Sequence, residues 1–213
     1  MQKEFDAVSS LLGGEEGTLY GNQVRLALSG IGKVNAAVCA ARLIDRFRPD
    51  CIVSSGCAGG LAPGLRLLDV VVSTETVYHD VSCGPEFEYG RMQGFPPRFA
   101  SDPRLLQAAE GLDSGGRIHY GLTCSGDRFV STPEDARDIL SHFPEALAAD
   151  MESGALAQVC CLHGIPFISL RVISDTVLAE DRLNQYYDFW SKVAGTSFKT
   201  LGLYLEKLNS VRF

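Results

Sequence analysis

At 213 residues, 46% hydrophobic and 21% charged, the chain is long enough to bury one sizeable core and reads as a single domain over residues 1–213. A formal net charge of −7 argues against a nucleic-acid or anionic-membrane partner, because phosphate contacts need clustered Lys and Arg, and favours a small-molecule ligand. Seven cysteines (39, 51, 57, 83, 124, 160, 161) are an odd number, lie mostly in apolar runs and lack paired zinc spacing; they read as buried thiols of a reducing cytoplasm, with no metal or cofactor implied.

Met1-Gln2-Lys3-Glu4 shows no apolar leader, and no apolar run is long enough to span a membrane. Phe5, Val8, Leu11 and Leu12 recur at helical spacing until Gly13-Gly14. Thr18 to Tyr20, Gly21-Asn22 and Val24 to Leu28 predict a hairpin. Ser29-Gly30-Ile31-Gly32-Lys33 is a glycine turn feeding an amphipathic helix to Phe47; it lacks the full phosphate-loop spacing and reads as a tight-packing turn. Cys51 to Ser55 predicts a buried strand, followed by four glycines within residues 56–64 that allow a sharp turn or a close backbone approach. Asp69 to Val77 is strand-like, and Val81 to Ala100 is a long loop carrying Phe87, Tyr89, Phe95 and Phe99.

Asp102-Pro103 opens a helix, Ile118 to Cys124 is the next strand, and Thr132-Pro133-Glu134-Asp135 starts another helix with cap, proline and acids in order. Ala146 to Ala149 is strand-like, Ala155 to His163 a small-residue helix, Pro166 to Ile173 the last strand, and about 181 to 208 helical. This alternation implies an α/β fold with a largely parallel, buried sheet.

Two of these boundaries carry acids: Asp150-Met151-Glu152 and Ser174-Asp175 each follow a strand-like run. Ligands of open α/β sheets sit at the carboxyl ends of strands, so the acids mark a candidate site. Glu152 and Asp175 equally fit the opening position of a helix, where acids are favoured.

Seven strings in order (Ser29 to Ala37, Ser55 to Leu61, Asp69 to Ser73, Tyr78-His79-Asp80, Ser125-Gly126-Asp127, Asp150-Met151-Glu152 and Ile173-Ser174-Asp175) closely resemble the nucleoside phosphorylase/hydrolase superfamily. Within it they are most similar to the 5'-methylthioadenosine/S-adenosylhomocysteine nucleosidases. The resemblance runs over nearly the whole chain. It implies a three-layer α/β/α fold around a central mixed, largely parallel twisted sheet, with the strand that precedes the family's first helix missing here. Strands next to that place would then hold unpaired backbone groups unless something fills it.

The implied reaction is hydrolysis of an N-glycosidic bond, releasing adenine and a 5-thio-substituted ribose. Adenine leaves poorly as an anion, so an acid at N7 helps, while the oxocarbenium-like sugar needs negative charge or hydrogen bonds nearby. By resemblance Asp175 is the acid, with Ser174 beside it, and Glu152 holds the ribose hydroxyls with Met151 against the sugar. Glu4 orients the attacking water; Arg171 contacts that water or the neighbouring acids; Phe129 and Val130 flank the purine. Cys57 stands where relatives often carry Ser. Relatives are homodimers whose sites borrow an aromatic across the interface, and Phe87 is the loop residue placed to do so. His79 and Asp80 fit a hydrogen-bonded structural pair or a catalytic one, and His119, His142 and His163 read as surface or packing residues. The rival readings are a purine nucleoside phosphorylase, which needs arginines for phosphate, a futalosine hydrolase, and a nucleoside-binding protein without turnover.

Overall fold

Local signals in the chain set most of its elements. The computed structural model describes residues 2–112, 117–179, 182–192 and 199–213. Helix α1 (Gln2–Leu12) leads to the hairpin β1 (Glu16–Leu19) and β2 (Asn22–Arg25). Then follow α2 (Lys33–Phe47), β3 (Ile52–Gly60), β4 (Val70–Tyr78), β5 (Phe99–Ala100), α3 (Pro103–Ala109), β6 (Ile118–Ser125) and α4 (Pro133–His142). The chain closes with β7 (Ala146–Asp150), α5 (Ser153–His163), β8 (Phe167–Thr176), α6 (Arg182–Lys192) and α7 (Lys199–Leu208).

The predicted caps are formed. Asp102 accepts the Arg104 amide at 2.9 Å ahead of Pro103, and Thr132 and Asp135 complete a reciprocal capping box on α4. Gly164, at φ 66°, ends α5 in the left-handed region that glycine tolerates best.

The sheet is mixed, as expected, and it closes on itself. The order β5-β4-β6-β7-β3-β8 is completed by an antiparallel pairing of β4 with β8, Val70–Val72 against Leu170–Val172. Five strands thus form a ring, and β5 extends the β4 edge beyond the point where β8 leaves it. Helices cover both sides, because alternate residues of a strand face opposite ways. Phe167 and Ile52 join Ala36, Ala40, Ala155 and Leu156 under α2 and α5, while their neighbours Ile168 and Val53 join Val8, Leu105, Leu201 and Tyr204 under α1, α3 and α7. Alanines and Gly154 let α5 lie close; a Cβ on Gly154 would sit 2.6 Å from the Tyr78 ring.

The second edge of β3 meets β7 only at Gly59 and Gly60. Among the described residues no strand pairs with that edge over Ile52–Ala58, nor with Leu26 to Gly30 after β2. That stretch of the β3 edge therefore has no backbone partner strand among the described residues.

Several boundaries differ from the sequence expectation: β1 and β2 start two residues earlier, β5 lies at the end of the expected 81–100 loop, and two further differences bear on the site. β3 runs through Gly56 to Gly60, so those glycines serve a close approach inside a strand and make no turn: a Cβ on Gly59 would lie 2.8 Å from Val177 Cγ2. β8 continues to Thr176, so Asp175 sits within a strand. The cysteines also differ in part. All seven are free, but only Cys124 and Cys160 are buried and Cys161 is exposed. Burial pushes the Cys160 thiol up to about 12 and the Cys51 thiol to about 11, so neither holds a thiolate at neutral pH.

Candidate active site

The ends of β3, β7 and β8 and the turn before α2 surround one cavity of about 180 Å³. Strand alternation alone would turn Ser174 and Asp175 to opposite faces. The β3–β8 register slips between Ala58 and Gly59, where Ala58 opposes Ile173 and Gly59 opposes Asp175, leaving Ser174 as the extra residue of a bulge. Both Ser174 and Asp175 consequently line the cavity. Ser174 Oγ donates to Asp175 Oδ1 at 2.7 Å, and Asp175 is 1% exposed. A Cβ on Gly59 would come within 3.6 Å of Asp175 Oδ2, so the glycine floor leaves room beside that oxygen.

Asp150 ends β7 and is the electrostatic anchor of the wall. Its Oδ2 receives Arg171 Nε at 2.6 Å and the Ser153 hydroxyl, and its Oδ1 receives the Ser153 amide at 3.2 Å. Arg171 Nη2 also reaches Ser54 Oγ at 2.8 Å and Ser153 Oγ at 2.9 Å. Burial alone would raise the Asp150 carboxyl; the adjoining Arg171 guanidinium and Ser153 hold it below the ordinary carboxylate range, so it stays ionised.

Glu152 occupies the N-cap position of α5, yet its side chain makes no cap. Its Oε1 instead accepts the Gly32 amide at 2.9 Å, from the glycine turn 120 positions earlier. The helix-start reading therefore holds for Glu152 in position alone, its carboxylate being drawn away from the helix, and fails for Asp175, which belongs to a strand. Gly30 and Gly32 hold φ of 79° and 89°, which explains the glycines of that turn.

Around the same cavity stand Cys57, Phe129, Val130, Met151 and Arg171, so eight of the ten expected residues come together with Glu152, Ser174 and Asp175. Phe87 does not line it; it lies half-buried in the loop, with the Arg91 guanidinium 6.0 Å from its ring centre. Glu4 is on α1, and its side chain lies outside the described residues. Of the two readings of His79 and Asp80, the hydrogen-bonded structural pair is not formed. Asp80 takes Lys33 Nζ and the Asp127 amide, whereas the buried His79 Nε2 has no partner among the described residues. Burial lowers the His79 pKa and keeps the ring neutral.

Sequence reasoning missed the inward turn of Ser29 and Ile31, the anchoring role of Asp150, and Tyr186 of α6, which lines the cavity and meets Phe129 edge-on at 5.8 Å. Asp150 had a signal, its place two residues before Glu152 in one string; Tyr186 had none beyond an aromatic pair in a terminal helix. Among the described residues no group of three or more His, Cys, Asp or Glu is arranged to hold a metal ion.

Known proteins match this arrangement along nearly its whole length. The phosphorylase superfamily profile matches residues 14–206. The 5'-methylthioadenosine/S-adenosylhomocysteine nucleosidase of Anoxybacillus flavithermus is 40% identical over 197 residues, covering 91% of this chain and 84% of that protein. A Neisseria meningitidis nucleosidase of the same name, solved with methylthio-immucillin-A, superposes with a TM-score of 0.91 at 37% identity over 98% of this chain and 96% of that one. A Borrelia burgdorferi protein described as a 5'-methylthioadenosine/S-adenosylhomocysteine nucleosidase, solved bound to adenine, gives 0.89 at 30% identity over 96% of each. On profile, sequence and structure together, the chain belongs to the phosphorylase superfamily and, within it, to the 5'-methylthioadenosine/S-adenosylhomocysteine nucleosidases.

Proposed function

We propose that the chain hydrolyses the N-glycosidic bond of 5'-methylthioadenosine and S-adenosylhomocysteine, releasing adenine and the 5-thio-substituted ribose. Its relatives' names and their bound adenine and nucleoside analogue supply the substrate class. The observation that separates hydrolysis from phosphorolysis is the state of the cavity's cations. Arg171 is engaged by Asp150 at 2.6 Å, and Arg128 by Asp135 at 3.2 Å and Asp138 at 3.4 Å. The glycine-turn amides, which a phosphate would need, already face Glu152 and Asp127 at 2.9 and 2.7 Å. Carboxylates at those donors repel a phosphate dianion and leave water as the acceptor of the sugar.

In this reading the purine lies between Phe129 and Val130, with N7 toward Asp175, and the sugar lies over Met151 with its hydroxyls on Glu152. As the C1'–N9 bond breaks, Asp175 gives its proton to N7, so adenine departs neutral. The Glu152 carboxylate, held by the Gly32 amide, fixes the ring and places negative charge near the forming cation. Water adds to C1', and Glu4 takes its proton. Arg171 and Asp150 keep the wall behind Glu152 rigid. Incubating methylthioadenosine with and without phosphate tests the reading: free thioribose should form at the same rate in both. A sugar 1-phosphate would overturn it, and cleavage of futalosine with methylthioadenosine untouched would move the activity to a sister enzyme.

The same reading makes the protein a homodimer. Val34 of α2 is 73% exposed and Ile31 of the turn before it 55%, with Val38 of α2 and Leu28 ahead of the turn also exposed, apolar surface beside the cavity that water disfavours. Phe87, off its own cavity, is then available to a partner's. Sedimentation should give twice the chain mass, with Val34→Asp driving the species to monomer; a monomeric wild type at micromolar concentration would refute this. We further read residues 1–213 as one domain working in a reducing cytoplasm, on the strength of seven free thiols. No helix among the described residues is long and apolar enough to cross a membrane.

A further inference from the structure

The support of Glu152 reaches behind the cavity to residues that do not line it. Gly32 N–H donates to Glu152 Oε1 at 2.9 Å, and the next amide, Lys33 N–H, donates to Asp127 Oδ1 at 2.7 Å. The two amides flank a single glycine Cα, at φ 89° and ψ 166°, whose helix has no side-chain cap. Glycine tolerates many backbone conformations, so the torsions of Gly32 do not by themselves hold its amide toward Glu152. The outer amide must be pinned for the inner one to be aimed. Asp127 is itself pinned: its amide donates to Asp80 Oδ2 at 2.7 Å, and Lys33 Nζ spans Asp80 Oδ1 and Oδ2 at 2.9 and 2.8 Å. The loop of contacts closes on Lys33, whose backbone and side chain grip two different carboxylates. The turn also packs directly on the first of these, since a Cβ on Gly32 would lie 2.8 Å from Asp127 Oδ1.

We propose that Asp127 is a positioning residue for the ribose-binding carboxylate: by holding the Lys33 amide it aims the Gly32 amide at Glu152, and Asp80 with the Lys33 side chain holds Asp127 in place. The proposal rests on the reading of Glu152 as the ribose ligand. The Lys33–Asp80 pair is about a quarter exposed, 25% and 24% for the two side chains, and ion pairs so placed contribute little to stability. Its consequence is geometric, because a carboxylate displaced by a fraction of an ångström from the ribose hydroxyls loses transition-state contact.

The test compares Asp127→Ala and Asp127→Asn in three measurements: hydrolysis of methylthioadenosine, hydrolysis of its analogue lacking both ribose hydroxyls, and calorimetric binding of adenine alone. Asp127→Ala should lower kcat/KM for methylthioadenosine by about tenfold or more, the scale of a lost charge-assisted hydrogen bond. Asp127→Asn should recover most of that, since its amide oxygen still accepts from Lys33. With the dideoxy analogue the loss should shrink to within about twofold, because the contact that Asp127 organises is already absent. Adenine should bind both variants as it binds the wild type. Equal losses on the two substrates, weakened adenine binding, or an Asn variant as poor as Ala would each overturn the positioning role. Wild-type protein that turns over no methylthioadenosine would instead sink the functional reading, and this inference with it.

Discussion

Asp175→Asn is expected to slow adenine release by about 10²- to 10⁴-fold, the usual contribution of a positioned general acid, while leaving the melting temperature nearly unchanged. The substitution is nearly isosteric. An Asn oxygen still accepts from Ser174 Oγ, the 2.7 Å bond that holds the wild-type carboxyl, so the buried site keeps its internal pairing. The amide nitrogen can donate a hydrogen bond to N7 but cannot deliver a proton through the transition state. Adenine would then have to leave with a charge that the cavity does not neutralise. The kinetic signature is a fall in kcat with KM little changed, measured by adenine release, with nucleoside binding followed by calorimetry. Full activity in the variant would show that the proton comes from elsewhere and would remove Asp175 from its role.

The second large effect is on stability. Asp150→Asn should cost about 3–5 kcal/mol, because it breaks the buried ion pair that Asp150 makes at 2.6 Å with the Arg171 guanidinium, itself 2% exposed. Replacing both, Asp150→Asn with Arg171→Met, should be milder than the single change, since removing a buried pair costs less than breaking it at one end. Chemical denaturation of the three proteins decides it; a single variant within about 1 kcal/mol of wild type would contradict the account. Acid should act on the same pair. The folded Asp150 pKa lies below its unfolded value, so the contribution is complete above the ordinary aspartate range near ~3.9 and is lost as pH falls through the folded pKa. Melting temperatures from neutral pH down to about 3 should fall steeply at the acid end in the wild type and less so in Asp150→Asn, which has no proton to take up there.

The elements legible in the chain were those that local chemistry decides. Asp102-Pro103 and Thr132 to Asp135 specify their helix starts because a cap needs only residues within one turn. The acids at 150, 152 and 175 stood out because apolar runs stop at them, and the motif strings placed them in one family. The strand ends were misjudged for a related reason. Glycines 56 to 60 look like a turn until Val177 and Asp175 pack against them, and Ser174-Asp175 look like a strand's exit until β3 pairs alongside.

By itself, then, the sequence determined most of the order of helices and strands, the family, and which acids to watch, since each rests on periodicity, caps or short strings readable within a few residues; β5, a two-residue strand at the end of the expected 81–100 loop, was not among them. The tertiary structure alone decided that β4 and β8 close the sheet into a ring, that a bulge at Ser174 turns two successive side chains into the cavity, and that the Gly32 amide meets Glu152 across 120 positions. These are pairings between distant backbone groups and carboxylates. Their energies depend on distance and orientation in space, which no local pattern of residues encodes.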